Sequence, residues 1–124
     1  MGKQEILGTI TLPVAADYST TGIYRFVDVN SSGQAVLVAG AGLEGIGVLE
    51  NDPSAAGMAG TVAVSGKVKV YAGGTVAAGA WVQSDANAAG ITAASGDYVF
   101  GKCVDGGASG ELIEVLLVSP HKLA

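Results

Sequence analysis

Few residues in this chain have the type and spacing to do chemistry. They are one histidine, His121, one cysteine, Cys103, eleven carboxylates, and the run Gly40-Ala41-Gly42-Leu43-Glu44-Gly45. Three glycines so spaced match a dinucleotide-binding turn, which holds a pyrophosphate on the amides of a helix that starts there and needs an acid about 20 residues on. Here the following Ile46-Gly47-Val48-Leu49-Glu50 carries β-branched residues around a glycine and stops at Asn51-Asp52-Pro53, and the acid's place falls in Gly60-Thr61-Val62-Ala63. The run reads as a glycine-rich loop between strands.

The other chemical readings fail in similar ways. His121 lies among the last four residues, where holding it beside a nucleophile is difficult. One His and one Cys cannot supply a zinc site without several carboxylates placed by the fold. Glu50 with Asp52, or Asp97 with Asp105, are the acid pairs a hydrolase would need, but eleven acids on one small surface meet by chance. Asp52 and nearby carbonyls lack the dense acidic spacing of a calcium loop. Lys67-Val68-Lys69 invites comparison with lipoyl and biotinyl carrier modules, which present their lysine at a hairpin tip; both lysines here fall inside an alternating strand. The expectation is a non-enzyme with no catalytic residues, no metal and no cofactor.

Composition sets the same bounds. At 124 residues the chain fits one domain, and a core is feasible without disulfides, which a single cysteine cannot form internally. Net charge is −5, and the six Lys and Arg are scattered, which disfavours binding to a phosphate backbone. No basic start followed by an apolar run marks a secretory signal, and no stretch of 18 or more apolar residues offers a membrane span. Synthesis in a reducing cytoplasm, with no membrane and no direct nucleic-acid partner, is expected.

The elements that would position any site are strands. Val62, Val64, Val68 and Val70 alternate with Ala63, Lys67, Lys69 and Tyr71, and Gly66 keeps the phase, so this stretch reads as one long strand with a bend or close approach at the glycine. Shorter strands are expected at residues 23–29, 35–39, 46–50, 75–83, 91–94, 98–104 and 111–118, separated by glycine-rich turns. Trp81 is expected to plug the core or to anchor a subunit contact, and Cys103 to fill space on the core side. The fold class is all-β, a compact single-domain β-barrel or β-sandwich of short antiparallel strands. Residues 1–13 form an extended N-terminal arm or edge strand, 14–118 the β domain and 119–124 a tail that Pro120 removes from the ladder.

Glu44-Gly45-Ile46-Gly47-Val48-Leu49-Glu50-Asn51-Asp52-Pro53, Val62 through Val70, Gly73-Gly74-Thr75-Val76-Ala77-Ala78-Gly79, Val82-Gln83-Ser84-Asp85, Gly101 and Gly110-Glu111-Leu112-Ile113-Glu114-Val115-Leu116 together resemble the small capsid cement, or decoration, proteins of tailed phages. The resemblance covers most of the chain after Ala35. It implies a structural subunit on the outer surface of an icosahedral head, with the major capsid protein as partner, that clamps adjacent capsid subunits against internal DNA pressure. It further implies self-association, a homotrimer more than a dimer. Interface residues are then expected in the arm, at Ile6, Ile10 and Leu12, and among the aromatics Tyr24, Phe26, Tyr71 and Trp81. The alternative is a small β adhesion or fibre module that binds a host-surface glycan.

Overall fold

The computed structural model describes residues 5–124, so the first four residues of the expected arm lie outside it. Nine strands follow in chain order: β1 (Glu5–Pro13), β2 (Phe26–Val29), β3 (Ala35–Leu37), β4 (Gly47–Leu49), β5 (Ala59–Tyr71), β6 (Trp81–Ser84), β7 (Gly90–Thr92), β8 (Tyr98–Asp105) and β9 (Leu112–Lys122). They make one antiparallel sheet, ordered β3-β2-β4-β5-β9-β8-β6-β7, with β1 added on β5. The sheet curls into a half-barrel, with no helix among the described residues.

Strand β5 is the strand the others need. Its early part pairs with β4 through Val62 and Ala63, and from Gly66 onward it pairs with β9. Gly66 sits at that handover with φ +100°, a backbone state that costs glycine nothing and other residues 1–2 kcal/mol by rough estimate. The expected bend inside one continuous strand is therefore present. The alternation is broken at one point: Ala63, register partner of Val48, is buried, while Val64 is exposed. Opposite this stretch β1 carries two register shifts, which re-aim the side chains of the ladder.

Two other glycines admit close strand crossings. A Cβ on Gly47 would collide with the Ala63 carbonyl, and one on Gly101 with the Leu116 carbonyl. Small residues at these places let β4 and β8 lie against their neighbours without displacing backbone.

The core divides into two clusters. The larger holds Phe26, Val68, Val70, Val82, Phe100, Cys103, Ile113 and Val115; the smaller holds Val14, Tyr18, Val27, Ala35, Leu49 and Val62. With so few aromatics, the chain spends both phenylalanines at the centre, where Phe26 and Phe100 stack with centroids 4.1 Å apart and planes at 21°. Each such burial stabilises the fold by about 1.5–3 kcal/mol.

Two expectations are corrected here. Residues 119–124 are not a free tail: β9 runs to Lys122, with His121 opposite Val99 and Lys122 opposite Tyr98. Pro120 is accommodated because the β8–β9 ladder shifts register beside it, so no bond is asked of its nitrogen. Nor is Trp81 the core plug, since it is only half-buried and the two phenylalanines fill that role.

Candidate docking surfaces

The first surface is the edge made by β1. Its ladder partner is β5, and Ile6 and Leu12 turn inward, packing on the larger and smaller core clusters respectively. Leu7 is 82% exposed and Ile10 41%. The sequence allowed either an arm or an edge strand over residues 1–13, and β1 is an edge strand of its own sheet. It is nine residues long, against three for β3 and β7 at the ends of the strand order. Long apolar edges are the sites at which sheets accept another chain.

The second is a cleft of about 620 Å³ that gathers Arg25, Tyr71, Asp85, Asn87 and Ser109. Arg25 lies 4.4 Å from the Tyr71 ring centroid and donates from Nη1 to the Asn87 carbonyl at 2.9 Å. Asp85 Oδ1 accepts the backbone N–H groups of Asn87 at 2.7 Å and Ala89 at 3.0 Å, which fixes the β6–β7 turn. Tyr24, in the left-handed region at φ 66°, accepts the Tyr71 N–H on its carbonyl at 2.8 Å. The structure thus brings together two expected residues, Tyr24 and Tyr71, and adds Arg25, Asp85 and Asn87. Only contacts across the sheet mark these three, so local sequence gave no signal for them. Phe26, also expected at an interface, is fully buried in the core and touches no surface.

The third is the face around Trp81. Lys102 Nζ lies 5.3 Å from its ring centroid, and His121 meets it edge-on at 5.7 Å. Trp81 is the register partner of Lys102, Lys102 of Leu116, and Leu116 of Lys67. On the same face, two residues from Leu116 and opposite Lys69, Glu114 is fully buried, with Lys67 Nζ 3.6 Å from its Oε1.

One acid pair weighed from the sequence is far apart. Asp97 and Asp105 stand at opposite ends of β8, about 26 Å apart at the usual strand rise. Gly42, in the glycine-rich run, is in a turn with φ 72°, where a Cβ would strike the Asp97 carboxylate. Cys103 is buried, and burial, then the nearby Asp105 charge, push its thiol above the ordinary range. Among the described residues no group of three His, Cys, Asp or Glu is placed to hold a metal, and no helix is long and apolar enough to cross a membrane.

Comparison with known proteins follows the same lines. No curated protein sequence matches the chain. Its fold is similar to the crystal structure of the N base of the head fiber gp8.5 in bacteriophage phi29, at a TM-score of 0.74 and 16% identity, covering 94% of this chain and 99% of that one. The profile of the phage cement proteins matches residues 25–118, a span that starts after β1 and includes every strand from β2 to most of β9. The chain belongs to the phage cement protein family, whose members are capsid-associated structural proteins.

Proposed function

We propose that this protein is a non-enzymatic cement subunit, made in the host cytoplasm, that binds the outside of the phage head as a homotrimer and bridges adjacent major capsid subunits against the pressure of packaged DNA. The observation that carries the reading is β1: a nine-residue edge strand with Leu7 and Ile10 turned outward, on a family member's stiff sheet. Each contact can be weak, because many copies on a lattice raise the effective concentration of the next binding event. A sheet with few long flexible side chains loses little entropy on docking.

The test is co-sedimentation with shells that lack the protein. Wild type binds, Leu7→Asp with Ile10→Asp loses binding while keeping its melting temperature, and light scattering gives three times the subunit mass. Point substitutions serve better than removal of the segment, since Ile6 and Leu12 pack on the core. Binding by the double variant equal to wild type would end the role of β1.

The adhesion reading draws on the cleft, whose Arg25, Asp85, Asn87 and Tyr71 are side chains of the kind that hold sugar hydroxyls and ring faces. A glycan array separates the two: a specific glycan signal abolished by Asn87→Ala favours adhesion.

A further inference from the structure

The cross-strand row Lys67, Leu116, Lys102, Trp81 runs in register across four adjacent strands of the sheet, with Glu5 of β1 opposite Lys67 at its end. Residues directly opposite in an antiparallel ladder share a face, so these four, from β5, β9, β8 and β6, stand side by side over about 14 Å at the usual strand spacing. Lys102 is exposed and Leu116 is 49% exposed. Val104, set beside the register shift of β8, is 48% exposed two residues from Lys102. Two large aliphatic side chains on adjacent strands, flanked by a tryptophan and a lysine, have the make-up of an interface centre.

Charge distinguishes this face from the rest of the molecule. Strands β5, β8 and β9 hold four lysines, Lys67, Lys69, Lys102 and Lys122, and two acids, Asp105 and Glu114; the remainder of the chain holds two basic residues and nine acids. Glu114, paired with Lys67, offsets one of these lysines, and the three strands still carry a net +2 against −7 for the remainder of the chain. An acidic partner is attracted to this face and repelled by the others, which selects orientation as well as partner.

We propose that this face docks an acidic protein surface with an apolar centre on the phage shell. The proposal rests on the capsid reading above and gives that partner its chemistry. The row lies wholly within the span shared with the cement family, whereas β1 lies outside it. The protein would then hold the shell at two separate places, the β1 edge and the β5-β9-β8-β6 face, as a bridge between neighbours requires.

The test uses shells lacking the protein, with wild type, Lys102→Glu, Leu116→Asp and, as comparator, Leu7→Asp. The first two alter exposed side chains, and unchanged melting curves establish that they fold. Each is expected to weaken shell binding about tenfold or more. Wild-type binding is expected to fall between about 50 and 500 mM NaCl, where screening shortens the reach of surface charge, and Lys102→Glu is expected to lose most of that salt response. Wild-type affinity in both variants, or salt-independent wild-type binding, overturns the proposal while leaving the capsid reading intact. A change in subunit mass for Lys102→Glu, with binding lost only as a result, overturns it in favour of a second copy as occupant. Binding of duplex DNA by wild type that Lys102→Glu abolishes overturns it in favour of nucleic acid. Absence of shell binding by wild type itself sinks the capsid reading.

Discussion

Lys67 reaches across the β5–β9 ladder to bring Nζ within 3.6 Å of Glu114 Oε1, and that carboxylate is fully buried. The lysine thereby covers an acid diagonal to it on the same face of the sheet. Removing one partner of a buried pair leaves the other charge uncompensated, whereas replacing both with apolar groups is often neutral. Lys67→Met is expected to lower stability by about 3 kcal/mol, and Lys67→Met with Glu114→Leu to restore most of it. Urea denaturation of the three proteins measures both steps.

Phe26 and Phe100 stack in the larger cluster, so Phe100→Ala is expected to cost about 3–5 kcal/mol. Trp81→Ala, at a half-buried position, is expected to cost about 1 kcal/mol or less. Thermal melts of the two variants check the contrast. Equal losses would mean that Trp81 carries core packing after all.

A methyl group at Gly101 meets the Leu116 carbonyl, with no flexible side chain to give way. Gly101→Ala is expected to destabilise by about 2 kcal/mol or more through overpacking. Gly57, at φ +88° with open space around its missing Cβ, supplies the comparison. Gly57→Ala is expected to cost about 1 kcal/mol from backbone strain alone. Chemical denaturation midpoints give both values.

The strands were legible where alternation is strict and neighbours are bulky: the valines of β5, and Tyr98 to Val104 in β8, announced themselves locally. What could not be read was which side of each strand the curled sheet would cover. Phe26, expected at an interface, lies in the core because the sheet brings Phe100, 74 positions along the chain, onto it, a contact no local pattern encodes. Pro120 misled for a related reason. A proline argues against a ladder only if a bond is required of its nitrogen, and the register shift in β9 removes that requirement. The candidate surfaces were half visible. Ile10 and Leu12 were marked by alternation with threonines, but Leu7, the most exposed large apolar side chain among the described residues, is turned out by the irregularity between Ile6 and Gly8.

Cys103 offers a pH test whose sign is fixed. Burial and the Asp105 charge raise its thiol pKa in the folded state, so folded and unfolded chains both keep the proton below the unfolded value of about 8.5. Above it the unfolded chain releases the proton while the folded chain holds it, and stability falls as pH rises toward the folded value. Wild type is therefore expected to lose more stability between about pH 7 and pH 9.5 than Cys103→Ala, as read from urea midpoints. A thiol reagent should react with wild type only as fast as the sheet opens.

Strand β5 draws its partners from both directions along the chain, β1 and β4 from before it and β9 from the last residues described. On the ribosome, the Gly66–Tyr71 half of that strand has no β9 to pair with until residues 112–117 have been made. Pairings between distant segments close slowly, and an unfinished chain carries a valine-rich edge open to its neighbours. Completion of the sheet and competence to assemble thus arrive together, once β9 has been made.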